Sequence, residues 1–154
     1  MHFTKKTLRF LENKALWVVV DPWLNQPQSD RDKFWTIGID LNQHNHIFLD
    51  KLRHDLNPVK NVIVYQLSNV PLHSLYTDYP RYTNIEEIAI DWNNYSHFVF
   101  CGMHYGACVH NAVKQLRQAL PGNYYVKRDS CCLMPFENPV KYDQRLLDEK
   151  IHII

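Results

Sequence analysis

Cys108 stands where a thiol can do chemistry. It follows an apolar run, His97 to Cys101 (HFVFC), and a glycine-flanked turn, Gly102 to Gly106. It also opens the segment Ala107 to Leu120, in which Val109, Val113, Leu116 and Leu120 mark the apolar stripe of a helix. The unpaired N–H groups and positive dipole end at a helix start favour an anion, so a thiol there is biased toward thiolate, the nucleophilic form. The same N–H groups suit the oxyanion of a tetrahedral adduct. The competing reading is a Cys that merely fills space as a small hydrophobe. Asp21 ends a second apolar run, Leu16 to Val20 (LWVVV), and precedes Pro22. A carboxylate at a strand end can take the thiol proton or orient a base, or it can cap a turn, as most Asp-Pro pairs do.

The elements that must position these two groups can be read from the patterning. Leu16–Val20 is a continuous β-branched run of the kind found in strands buried on both faces of a parallel sheet. Ile47, Leu49, Leu52 and Leu56 predict a helix over about 43–56, stopped by Asn57-Pro58. Val62–Leu67 (VIVYQL) predicts the second strand, and the Pro-rich stretch from Ser68 to Tyr82 a long loop, uncommon unless functional. Asn84 with Glu87 resembles a capping box that opens a short helix through Trp92. His97–Cys101 is then the third strand, Ala107–Leu120 a helix closed by Pro121-Gly122, and Tyr124–Lys127 a fourth, shorter strand. Strands alternating with helices imply right-handed crossovers, a parallel sheet and helices on both faces. In such sheets the site lies beyond the carboxyl ends of the strands. That brings Asp21, the loop over 66–82 and the Gly102–Cys108 turn to one rim.

Composition limits what this rim can serve. The 154 residues carry 17 Lys plus Arg against 16 Asp plus Glu, a net charge of +1, with no basic stripe for nucleic acid or an anionic membrane surface. The longest apolar run, Ala15–Val20, is far short of a bilayer span, and Met1–Phe10 lacks the apolar core of a signal peptide. The expectation is a single cytoplasmic domain over 1–154. Cys101, Cys108, Cys131 and Cys132 include no CxxC pair and read as free thiols.

The segment FVFCGMHYGACVHNAVKQL, residues 98–116, resembles the strand, turn and helix of the isochorismatase-like cysteine hydrolases, the superfamily of nicotinamidase and N-carbamoylsarcosine amidase. Their turn reads G-x-x-T-N-x-C-V; here it reads Gly102-Met103-His104-Tyr105-Gly106-Ala107-Cys108-Val109. ALWVVVDPW resembles their A-L-L-V-I-D-x-Q strand and aligns their Asp with Asp21, and YYVKRDS resembles the following strand. Coverage runs over about residues 15–132. The resemblance implies a three-layer α/β/α fold with a mostly parallel, Rossmann-like sheet. It also implies an Asp, Lys, Cys triad attacking a C–N bond of a small amide: Cys108 as nucleophile, Asp21 as base, and the N–H groups of Cys108 and His104 as oxyanion donors. A cis peptide between Met103 and His104 goes with that turn.

The Lys is where the pattern breaks. The family's K-x-R-[FY]-S-x-F segment aligns with Tyr79-Pro80-Arg81-Tyr82-Thr83-Asn84, which puts Tyr79 in the Lys position, and no Lys occurs from Asn61 to Val113. A phenol cannot replace an ammonium between a carboxylate and a thiolate. Arg81 is the candidate substitute, since i and i+2 share a face of an extended segment and Pro80 favours extension at Tyr79. The family's metal motif, D-x-H after the second strand, is absent where Gln66-Leu67-Ser68-Asn69 stands, and His73 alone makes no site, so no metal and no cofactor are expected. His44 and His46 read as solvated residues, and His104 as a pocket residue or second base beside the turn, with His110 on its other side. Trp23 is the indole placed to line a pocket, whereas Trp17, Trp35 and Trp92 read as core or interface; Cys131-Cys132 reads as a buried strand-end pair. A hydrolase of a small-molecule substrate, a catalytically silent domain binding a ligand or partner, and a thiol redox protein are the readings left open. With only Pro135–Ile154 after the last clear strand, one peripheral element is expected to be missing, and an incomplete edge favours a homo-oligomer.

Overall fold

The computed structural model describes residues 4–154; residues 1–3, where the segment read for a targeting signal begins, lie outside the described residues. Helix α1 (Lys5–Lys14) leads into β1 (Leu16–Val20), and the Trp17 indole donates to the Leu11 carbonyl at 3.0 Å, fastening one to the other. After α2 (Gln28–Trp35) and α3 (Leu41–Asp55) come β2 (Val62–Tyr65), a 3₁₀ turn at Ser74–Tyr76 and β3 (Arg81–Tyr82). The second half continues with α4 (Ile85–Asp91), β4 (His97–Met103), α5 (Cys108–Ala119), β5 (Asn123–Cys132), α6 (Val140–Asp148) and β6 (His152–Ile153). All five residues of β1 are buried, as a continuous apolar run demands of a strand covered on both faces.

The six strands form one sheet in the order β3-β2-β1-β4-β5-β6, and every neighbouring pair is parallel. With helices on it the sheet makes a three-layer α/β fold. From β1 the chain steps outward to β2 and β3, then returns through α4 to place β4 on the other side of β1. The order therefore reverses between β1 and β4. In an open α/β sheet a crevice opens beyond the carboxyl ends of the strands at such a reversal. No helix among the described residues is long and apolar enough to cross a membrane.

Several elements depart from the sequence expectations. The helix expected from Gln43 begins at Leu41, because Asp40 caps it by accepting from the Gln43 N–H at 3.1 Å. The long loop over 68–82 contains the 3₁₀ turn and β3, and the strand expected over 124–127 runs on to Cys132 past a register shift between Phe100 and Gly102. After Pro135, where no further strand is expected, come α6 and β6, and β6 pairs in parallel with β5 at that edge of the sheet.

Candidate active site

The site is built where the order reverses. Val20 pairs with Gly102, so Asp21 emerges from β1 beside the turn that leaves β4. A side chain at Gly102 (φ +111°) would place its Cβ 2.3 Å from the Val20 carbonyl oxygen, so only glycine lets β4 come this close to β1. Asp21 itself has a φ of +45°, a left-handed conformation that Asp tolerates better than most residues. Its N–H donates to the Tyr65 carbonyl at 3.0 Å, and its Oδ1 accepts from the Leu67 N–H at 2.8 Å. The carboxylate is thereby locked across the ends of β1 and β2.

The long loop is held to the same rim. His73 and Leu24 donate to the carbonyls of Pro22 and Pro71, and the Trp23 indole donates to Ser68 Oγ at 3.0 Å. From below, the buried amide of Asn45 on α3 donates to the Trp23 carbonyl at 2.9 Å and accepts from Gln26 at 2.8 Å. These bonds satisfy backbone groups that a buried loop would otherwise leave unpaired.

On the β4 side, the Met103–His104 peptide is cis, the arrangement the resemblance implies. The Ala107 and Val109 N–H groups both donate to the His104 carbonyl, whereas the N–H groups of His104 and Cys108 donate to no backbone acceptor among the described residues. Cys108, half-buried, opens α5 with its thiol beside the Asp21 carboxyl. Asp21 Oδ2 is fully buried and has no hydrogen-bond partner of good geometry, so thiol and carboxyl are neighbours rather than an aligned pair.

The electrostatics of this pair reverse one expectation. Burial pushes the Asp21 carboxyl above the usual carboxylate range, and the N–H groups of Leu67 and Ser68, the thiol and the Trp23 side chain offset it only in part. Burial, then the Asp21 charge, pushes the Cys108 thiol up as well, against its own backbone N–H. The bias toward thiolate expected from a helix start is thus outweighed, and the resting pair holds a proton. No Lys or Arg is among the groups acting on Asp21 or Cys108.

Tyr79, aligned with the Lys of the resembled family, and Arg81, the candidate substitute, lie elsewhere. Tyr79 is half-buried with the Arg53 guanidinium 4.8 Å over its ring and the Tyr76 ring 6.2 Å away, against α3. Arg81 is exposed on the edge strand β3. The phenol that does respond to Asp21 is Tyr65, the last residue of β2: burial and then the Asp21 charge push its pKa up, and its hydroxyl donates to Gln115 Oε1 at 2.8 Å. Its position at a strand end was the available signal, hidden because VIVYQL reads as uniform core.

Trp23 and His104 meet edge to face with centroids 5.6 Å apart. Burial lowers the His104 pKa to about 4, against the pull of Glu137 and Asp30, so its ring is neutral at physiological pH. Both rings line a cleft of about 240 Å³ completed by Pro27, Asp30, Tyr105, Ala107, Met134, Glu137 and Tyr142. Asp21 and Cys108 do not line this cleft, which reaches the turn that carries the thiol through His104, Tyr105 and Ala107; larger clefts, one along Phe10, Lys14 and His97 and one along Glu12, Lys51 and Asp129, share no residue with it. Outside the site, His44 is half-buried and hydrogen-bonded to the Leu133 carbonyl at 3.1 Å rather than solvated, while the exposed His46 meets His73. Trp17 is core and Trp35 is 70% exposed; the four cysteines are free thiols, with Cys131 and Cys132 buried at the end of β5. Comparison with protein-family models, curated proteins and solved structures returns no match to this chain.

Proposed function

We propose that the chain is a cysteine hydrolase that opens a C–N bond of a small amide-type molecule. The observation that carries this reading is the Cys108 thiol beside the buried Asp21 carboxyl at the sheet's reversal point. A carboxylate raised by burial is a stronger base, and it takes the thiol proton as sulfur adds to the carbonyl carbon. The N–H groups of His104 and Cys108, which donate to no backbone acceptor among the described residues, are the donors this reading assigns to the developing oxyanion. The proton passes to Asp21 as the negative charge passes to the substrate oxygen, so no preformed thiolate is required. Asp21 returns that proton to the nitrogen as ammonia or an amine leaves, and water then releases the acyl group from sulfur.

A second reading, a silent domain that binds a ligand at the same rim, is favoured by one observation: no cation acts on the pair. Ammonia release from a panel of small amides and ureides, measured for the parent and for Cys108→Ala, separates the two. Turnover that Cys108→Ala abolishes supports the hydrolase; turnover that survives it refutes the assignment. Ligand binding with no turnover by the parent selects the silent domain.

A further inference from the structure

We infer that the cleft adjoining the turn before Cys108 selects a small planar cation of the amidinium class, held by the cleft's own two carboxylates. The inference rests on the thiol chemistry proposed above and names the ligand it would act on.

Four rings, those of Trp23, His104, Tyr105 and Tyr142, line the cleft together with two carboxylates, Asp30 and Glu137. Glu137 is held in place, accepting from the Met134 N–H at 3.3 Å and from the Tyr142 hydroxyl at 2.7 Å. A carboxylate offers about four acceptor positions, which leaves capacity for a ligand. Asp30, half-buried, enters no ion pair among the described residues. The Tyr142 ring packs on Gly106 (φ +78°), where a Cβ would lie 2.2 Å from the ring, so the wall is fixed directly against the turn that carries the thiol.

Positive groups do not balance these acids. His104 is neutral, and Lys141 and Arg145 sit over the Tyr142 ring at 4.9 and 5.3 Å without lining the cleft. Asp21, which meets the Trp23 side chain but does not line the cleft, is buried with no cation acting on it. Aromatic faces attract a cation, and a planar fork of N–H donors matches a carboxylate bidentately. A neutral amide can satisfy the rings but leaves both acids uncompensated. The volume, below the roughly 300 Å³ at which pockets for drug-sized ligands begin, suits one small ring bearing such a group.

Calorimetric titration of the full chain and of Cys108→Ala with benzamidinium and with benzamide, near neutral pH, tests the inference. Benzamidinium is expected to bind both proteins at least about tenfold more tightly than benzamide, and to slow alkylation of Cys108 in the parent. Asp30→Asn and Glu137→Gln should each weaken benzamidinium about fivefold and leave benzamide unmoved. Asp30 lies in the first turn of α2, where Asn is tolerated, so this variant decides alone should Glu137→Gln melt early. Equal or tighter binding of benzamide, or a benzamidinium affinity unmoved by Asp30→Asn, overturns the inference. Because binding to Cys108→Ala needs no turnover, its failure condemns the ligand class alone, whereas turnover that survives Cys108→Ala condemns only the thiol chemistry.

Discussion

Two carboxylates are packed against helix α5, and they are treated in opposite ways. Asp21, at its first turn, is fully buried with an oxygen lacking any hydrogen-bond partner and no cation near it. Glu149, just past α6, is ringed: His110 Nε2 meets its Oε2, Lys114 lies 4.0 Å from its Oε1, and Arg117 donates to its backbone carbonyl. The second arrangement docks α6 on α5 and thereby seats β6. The first is satisfied on one oxygen only: Oδ1 accepts from the Leu67 N–H, whereas Oδ2 is buried without a partner, which is a cost.

The sharpest way to break the comparison is to delete the thiol. Cys108→Ala should lower ammonia release by roughly 10³-fold or more while the melting temperature stays within about 2 °C, because a half-buried thiol contributes little packing. A variant that unfolds instead would make Cys108 a structural residue. The other carboxylate should give the reverse pattern. Glu149→Ala leaves His110, 6% exposed and with Nδ1 already unpaired, without its partner. It should cost about 1–3 kcal/mol in denaturant unfolding and leave the rate of Cys108 alkylation unchanged.

The sign of the Asp21 contribution gives the third test. Its carboxyl is raised by burial above its unfolded value of 3.8, so the folded state holds a proton that the unfolded chain has released. Asp21 therefore weakens the fold above its folded pKa, and the penalty disappears as pH falls through that value toward the unfolded one. Asp21→Asn, which keeps an oxygen for the Leu67 N–H, should raise the melting temperature by about 2–4 °C at neutral pH, the equivalent of ~1 kcal/mol in a domain of this size. The gain should shrink as melts are repeated toward pH 4. A gain independent of pH would mean that the charge of Asp21 is not the source of the instability.

Legibility in the sequence followed the density of the apolar pattern. LWVVV, VIVYQL and HFVFC are short uninterrupted runs, which only strands covered on both faces require, and with Ala107–Leu120 between strands they fix a parallel sheet and the rim at its carboxyl ends. Helices α1 and α2 bury one residue each, Leu11 and Phe34, and α6 buries Tyr142 and Leu146, too thin a stripe to be read without the sheet beneath. Asp21 and Cys108 were legible because strand ends and turns are local; that they meet depends only on β1 pairing with β4. Asn45, Tyr65 and Glu137 were not. Asn45 and Tyr65 act through partners 19 or more residues away, and Glu137, bonded locally to Met134 and Tyr142, shares the cleft with Trp23, Asp30 and His104, which are distant in sequence.

The smallest expected effect concerns the position aligned with the absent Lys. Tyr79 lies under the Arg53 guanidinium, and Arg81 stands exposed on the sheet edge. Neither residue is among the groups acting on Asp21 or Cys108, so a charge placed or removed at either should be felt little at the thiol. Tyr79→Lys should shift the pH midpoint for Cys108 alkylation by less than about 0.3 unit and Arg81→Ala by no more. The main consequence of Tyr79→Lys should be lost packing on Arg53, read as a slightly lower melting temperature. A downward shift of about one unit in the alkylation midpoint would show that the ammonium reaches the pair after all. Residue 79 would then have to swing from the α3 face to the carboxyl rim, and the contrast between an unpaired Asp21 and a ringed Glu149 would be a feature of one conformation of the 68–82 loop.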